Sequence, residues 1–209
     1  TAKRGRIRVS RITGTLVAIC LATTTFGCTH QIAFDRDATS WAYLIGAAKQ
    51  SDTSIVAVVE PATLAASTSF RAWSTGIAHK WVANYGEMLV QVTDMELPQV
   101  VEFYERSPSY LESTSGRHRL TIELSVPSYV FEDYRAKLTI KADVYGPGRT
   151  AVFSRTYSSE GSSGAGKMIG LGVFGQKSAV RQSSLVAFKN VFEELRRDIA
   201  TALGGGGID

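Results

Sequence analysis

The 209-residue chain is 44% hydrophobic and 20% charged, which suits one folded domain and argues against a disordered or fibrous protein. Its formal charge of +4 suggests nucleic-acid binding, but five of its 23 basic residues lie in residues 1–27, which contain no Asp or Glu. The rest of the chain carries 18 basic and 19 acidic side chains, a formal charge of −1. We therefore expect no nucleic-acid partner for the folded part of the chain.

Residues 1–27 have the organisation of a signal peptide. The basic residues fall within 3–11, and residues 12–26 form an uncharged, mostly apolar stretch of 15 residues. That length suits a signal-peptide core and falls short of the roughly 20 residues that a membrane-spanning helix needs.

The apolar stretch ends at Gly27 and Cys28, and a small residue followed by Cys resembles the lipoprotein box of bacterial lipoproteins. The resemblance implies a diacylglyceryl group on the Cys28 sulfur and cleavage just before it, although Thr25 stands where the family prefers Leu. In this family, Asp directly after the lipidated Cys favours retention in the inner membrane. Residue 29 is Thr, so the resemblance implies an outer-membrane location on the periplasmic face. Two alternatives remain: conventional cleavage that leaves Cys28 an ordinary residue, and an uncleaved anchor.

Lipoprotein processing would remove Cys20 with the leader and leave Cys28 as the single cysteine of the mature chain. No intramolecular disulfide is then possible, so the fold must be held by its core.

Downstream of the leader, residues 28–52 are predicted to be a tether and approach segment, in which 41–45 have the composition of an edge strand. Residues 54–59 (SIVAVV) predict a strand buried on both faces. Apolar residues three and four apart predict a helix over about 73–92, with a strand over 88–92 as the alternative. A second short helix is predicted near 100–104.

The second half of the chain has clearer patterns. Residues 119–126 and 135–144 alternate apolar and polar side chains and predict half-buried antiparallel strands; 146–148 (GPG) predict a turn into a third strand at 150–158. A Gly/Ser-rich loop over 160–175 and a helix over about 178–203 follow, and residues 205–209 are predicted to be a disordered tail. The core stripe of that helix comprises Val180, Phe188, Val191, Phe192, Leu195, Ile199 and Leu203.

This order of elements predicts an α+β fold: a single domain over residues 53–204, with a mixed, mostly antiparallel sheet, helices on one face and a long C-terminal amphipathic helix.

Residues 161–167 (GSSGAGK) match the spacing of a nucleotide-binding P-loop up to Lys167. The next residue, Met168, lacks the hydroxyl that binds Mg²⁺, and the glycines at 170, 172 and 175 argue against the helix that must follow. We expect no nucleotide there.

Two alternatives remain for this Gly-rich segment. It packs back on its own sheet, or it presents an apolar surface to a protein partner or a lipid surface. Under the second hypothesis, five side chains contact the partner or the lipid surface: Met168, Ile169, Leu171, Val173 and Phe174.

No catalytic or metal-binding pattern is evident. The three histidines, His30, His79 and His118, are far apart in sequence, and no nucleophile motif occurs. We expect no enzyme activity, no metal and no cofactor.

The leader, the compact domain and the long C-terminal helix together resemble, in element order, the small accessory lipoproteins of lipopolysaccharide assembly and polysaccharide export in the proteobacterial outer membrane. The resemblance implies a structural or assembly role in an envelope complex, with protein partners or self-association. The alternatives are a lipid or small-ligand carrier and a subunit of a flagellar or secretion ring.

Overall fold

The computed structural model describes residues 28–34, 50–71, 79–110, 118–163 and 168–204. The strands are β1 (Thr29–Ile32), β2 (Gln50–Val58), β3 (Thr68–Phe70), β4 (Lys80–Ala83), β5 (Val101–Ser107), β6 (His118–Glu132), β7 (Arg135–Tyr145) and β8 (Ala151–Glu160). The α-helices are α1 (Pro61–Leu64), α2 (Tyr85–Glu96) and α3 (Met168–Gly204), with short 3₁₀ turns at Leu97–Gln99 and Pro147–Arg149.

The larger sheet has five strands in the order β5-β2-β6-β7-β8. Strand β2 runs parallel to both of its neighbours, whereas β6, β7 and β8 form an antiparallel meander. The central position of β2 explains its apolar run, because Ile55, Val56, Ala57 and Val58 are all buried. The predicted two-sided strand, the three antiparallel strands and the α+β class with one domain are confirmed.

A second, three-stranded sheet has the order β1-β4-β3, with β1 parallel and β3 antiparallel to β4. Its first strand comes from the segment that was predicted to be a tether. Ile32 and Phe34 are buried in the common core, where the Phe34 ring meets the Phe188 ring of α3 edge to face. The possible edge strand at 41–45 lies outside the described residues.

Two helix predictions in the middle of the chain are wrong in part. Residues 80–83 form β4, in which Trp81 and Ala83 face the core, and α2 begins only at Tyr85. The alternative of a strand over 88–92 is also wrong, because this stretch is helical. The predicted short helix near 100–104 is instead strand β5, which gains its hydrogen bonds from β2.

Helix α3 covers the meander, and its predicted core stripe is confirmed. Val180, Phe188, Phe192, Leu195 and Ile199 are fully buried. Leu203 is partly buried against the same cluster.

Two serines on α3 fix the helix to the sheet. The Ser183 Oγ accepts a hydrogen bond from the Ala136 backbone N at 2.7 Å, and the Ser184 Oγ lies 2.6 Å from the Tyr129 hydroxyl. Burial raises the pKa of Tyr129 to about 12, so its phenol stays protonated and able to donate at any physiological pH. Gly161, at the end of β8, touches the backbone of Ser183, and a Cβ there would overlap the Ser183 carbonyl.

Candidate anchoring and interaction site

Cys28 lies at the start of the folded part of the chain and is exposed. Its backbone carbonyl accepts a hydrogen bond from the Lys80 N at 3.0 Å, and β1 begins at the next residue. An acyl group on the Cys28 sulfur would therefore join the domain at the edge of the small sheet, with no linker between lipid and fold.

A histidine pair lies two residues beyond Cys28. The His30 Nε2 and the His79 Nδ1 are 2.9 Å apart, so one imidazole donates a proton that the other accepts. The His30 ring stacks on Trp81 with 4.5 Å between centroids. The two histidines are 49 residues apart in sequence, and their meeting depends on the β1–β4 pairing, which the sequence analysis did not predict.

The histidine pair gives at most two metal ligands. Within the described ranges, no group of three or more His, Cys, Asp or Glu side chains is arranged to hold a metal ion. The geometry is that of a hydrogen-bonded histidine pair in which the His30 ring packs on the Trp81 indole.

The predicted Gly-rich loop is wrong from Met168 onward, because α3 begins there, ten residues earlier than expected. Each glycine costs a helix about 1 kcal/mol relative to alanine. A 37-residue helix with a buried stripe offsets that cost by packing. The predicted interaction residues Met168, Ile169, Leu171, Val173 and Phe174 thus share the first turns of α3, and their side chains lie outside the described part of the chain.

The early start of α3 removes one of the two arguments against a nucleotide-binding loop, since a helix does follow Lys167. The other argument stands, because residue 168 is Met and has no hydroxyl for Mg²⁺. In addition, the strand that precedes the segment is β8, the edge of an antiparallel meander. Residues 164–167 lie outside the described residues.

The β6–β7 hairpin ends in a two-residue turn at Asp133 and Tyr134, next to the chain that leads to α3. Both residues have positive φ, 48° and 60°, as in a type I′ turn, which normally uses Asn and Gly. The Tyr134 carbonyl accepts a hydrogen bond from the Ser163 Oγ at 2.7 Å. A left-handed backbone costs a residue with a Cβ about 1–2 kcal/mol. Asp133 and Tyr134 therefore make this turn less stable than a turn of Asn and Gly would be.

An aromatic contact joins this hairpin to the small sheet. The rings of Phe70 on β3 and Phe131 on β6 lie 5.1 Å apart. They form part of the wall of a cleft of about 220 Å³ that also includes Arg71, Glu132, Asp133, Tyr134 and Gln176. We call Val130, Phe131 and Tyr134 the hairpin tip; the side chains of Val130 and Tyr134 are exposed.

A second cleft, of about 230 Å³, lies at the other end of α3 and is lined by Gln99, Val100 and Arg196, among others. Beside it the Glu96 carboxyl is buried 3.5 Å from the Arg196 Nη1, without a hydrogen-bond donor among the described residues. Burial raises the pKa of Glu96, although the charges of Arg196 and Lys189 act in the opposite direction. Typical ligand pockets are about 300–1,000 Å³, so both clefts are small for a carrier.

Within the described part of the chain, no helix combines the length and hydropathy that a membrane span requires.

No family model matches the sequence, and no curated protein matches it. Among solved structures, the chain is similar to a Xanthomonas campestris protein of family DUF330, at 14% identity and a TM-score of 0.47, over 85% of this chain and 97% of that one. A hypothetical protein from Chlamydia trachomatis matches at 7% identity and a TM-score of 0.40, over 71% and 99% of the two chains. A Caulobacter crescentus chain described as a "putative lipoprotein" matches at 15% identity and a TM-score of 0.34, over 58% and 84%. Likeness at this level assigns no function to the chain.

Proposed function

We propose that this protein is a lipid-anchored lipoprotein of the bacterial outer membrane, held on the periplasmic face through Cys28, and that it serves as a structural or assembly component of an envelope complex. The proposal assigns it no catalytic step, nucleotide, metal or nucleic acid. Its partners are the membrane, through the lipid, and either other envelope proteins or further copies of the chain.

The observation that carries the proposal is the position of Cys28. The sequence places this residue directly after a basic segment and a 15-residue apolar core. In the folded chain it is exposed and immediately precedes β1. An exposed sulfur at the boundary between leader and fold is accessible to an acyl-transferring enzyme.

The two clefts that are lined by described residues are too small to enclose a lipid. A lipid carrier needs an apolar cavity that encloses most of its ligand, and the clefts of about 220 and 230 Å³ fall below the usual range.

Metabolic labelling with a fatty acid tests the anchor. Cys28→Ser should abolish labelling, whereas Cys20→Ser, the matched change within the leader, should leave labelling intact. Because one acyl chain gives only marginal binding and two or three give durable binding, the unaltered protein should need detergent for extraction. Persistent labelling of the Cys28→Ser chain would contradict the proposal.

The assembly role has a separate test. Native mass measurement on detergent-extracted protein reports the number of subunits and any bound lipid in one experiment. Oligomers or co-purified envelope proteins support an assembly role, and a monomer with one stoichiometric lipid would favour the carrier.

A further inference from the structure

The strand register places Cys28 and Arg71 at the same end of the small sheet. In the parallel β1–β4 pair, Thr29 lies opposite Lys80, and in the antiparallel β3–β4 pair Phe70 lies opposite Trp81. Arg71, the residue after Phe70, is therefore level with Lys80 and with the start of β1. Neighbouring strands are about 4.8 Å apart, so Cys28 lies about 10 Å from Arg71 across β4.

The hairpin tip continues this end of the molecule. Phe70 packs on Phe131, and three residues further along β6 the chain reaches Tyr134 in the turn. The cleft lined by Arg71, Tyr134 and Gln176 links the small sheet to the beginning of α3.

Two large apolar side chains at this tip are exposed to solvent. Val130 is 42% exposed and Tyr134 is 40% exposed. Valine and tyrosine suit the boundary between headgroups and acyl chains, where an aromatic ring is buried and its hydroxyl remains hydrated.

Exposed charged side chains of both signs lie at this end of the molecule. Arg71, Lys80, Arg135 and Lys137 are basic, and Glu132, Asp133 and Glu160 are acidic. Arg135 and Lys137 pair with Glu160 and Glu132 respectively, which leaves the tip mixed in charge and not strongly acidic. Such a surface is compatible with anionic lipid headgroups.

We propose that the hairpin tip, with Val130 and Tyr134, is a second contact between this protein and the lipid surface, beside the acyl anchor on Cys28. This inference rests on the proposed lipidation, because a domain joined to its lipid without a linker is held against the membrane at the end that carries Cys28. The acyl anchor removes most of the entropic cost of association, so a small apolar contact is enough to orient the domain.

The turn geometry supports the same assignment. Asn and Gly would form this turn without strain, but the chain has Asp133 and Tyr134 with positive φ. Strained backbone conformations cluster at functional sites. In this turn the strained residue is Tyr134, whose side chain is exposed.

A pair of valines provides a matched test. Val130 lies at the tip, whereas Val152, 37% exposed, lies near the opposite end of the same meander, beside Gly146. In the lipidated protein Cys28 carries the acyl group and Cys20 has been removed, so Val130→Cys or Val152→Cys introduces a single free thiol. Each variant is labelled there with a fluorophore and reconstituted into vesicles of phosphatidylethanolamine and phosphatidylglycerol that contain a headgroup-quencher lipid.

The proposal expects several-fold stronger quenching at position 130 than at position 152, with equal melting temperatures for the two variants. Equal quenching at both positions would overturn it while leaving the anchor intact. Failure of fatty-acid labelling at Cys28 would instead overturn the proposed function. If the fluorophore at position 130 becomes shielded from water as the concentration of the leaderless Cys28→Ser chain rises in detergent-free buffer, a second copy covers the tip and the lipid contact is refuted.

Discussion

Gly161 provides a sharp test of how α3 docks on the sheet. This glycine is buried where the end of β8 touches the backbone of α3, and a Cβ at this position would overlap the carbonyl group of Ser183. The Gly161→Ala substitution must therefore push β8 and α3 apart.

Two hydrogen bonds would be lost or lengthened by that movement. The Gly161 N donates to the Ala136 carbonyl at 2.8 Å, and the Ser183 Oγ accepts from the Ala136 N at 2.7 Å. Overpacking costs about 1–3 kcal/mol and each hydrogen bond contributes about 0.5–1.5 kcal/mol, so we expect a loss of about 2–6 kcal/mol. Domains of this size have free energies of unfolding of about 5–15 kcal/mol, and the loss would be easily measured.

The assay is urea unfolding of the leaderless chain, followed by far-ultraviolet circular dichroism. Gly204→Ala is the matched control, because Gly204 is the last residue of α3 and a Cβ there meets no atom within 4 Å. The control should unfold at the same urea concentration as the unaltered chain or slightly above it. Equal midpoints for Gly161→Ala and Gly204→Ala would refute the close packing of β8 on α3.

Three further predictions concern stability. Phe188→Ala should cost about 3–5 kcal/mol, because the ring is fully buried, whereas the exposed Arg197→Ala should cost less than about 1 kcal/mol; equal shifts in urea midpoint would contradict the packing of α3. Burial raises the pKa of the Glu96 carboxyl above its usual value of 4.5, so ionisation of this group disfavours the folded state. The free energy of unfolding should therefore fall as the pH rises from 4.5 towards the raised pKa. Glu96→Gln should weaken that decline in urea midpoints as the pH rises above 4.5, and an unchanged decline would show that other groups cause it. Tyr134→Gly should raise the free energy of unfolding by about 0.5–1 kcal/mol, because relief of left-handed strain outweighs the added freedom of the unfolded chain; a lower melting temperature would contradict this.

The sequence predicts elements whose burial pattern is local. The apolar run at 54–59 and the alternation along β6 and β7 are visible in the chain because each strand has a defined buried face. Phe188, Phe192, Leu195 and Ile199 predict α3 for the same reason.

The elements that were missed depend on partners distant in sequence. Strand β4 was predicted as helix because Trp81 and Val82 precede Tyr85, Met88 and Leu89 at helical spacing, and only pairing with β1 and β3 makes residues 80–83 extended. Strand β5 shows no alternation, since it is an edge strand whose side chains are mostly exposed.

Only one part of the candidate site, the anchor residue Cys28, could be predicted from the sequence. Cys28 follows from the leader, but the His30–His79 pair needs the β1–β4 register. The contact between Phe70 and Phe131 likewise needs the two sheets to meet. The start of α3 at Met168 could not be predicted, because the glycines at 170, 172 and 175 have low helix propensity and favour a loop.

The contact between β1 and α3 has a consequence for the order of folding. The Arg181 Nε donates to the Ala33 carbonyl at 2.8 Å across 148 residues of sequence, and the Phe34 ring meets the Phe188 ring edge to face. A chain that emerges N-terminus first therefore exposes β1 and the parallel edges of β2 long before their partners arrive. Folds dominated by such distant contacts form slowly and leave strand edges open to aggregation meanwhile. The packing of the domain is therefore complete only after its last helix has appeared.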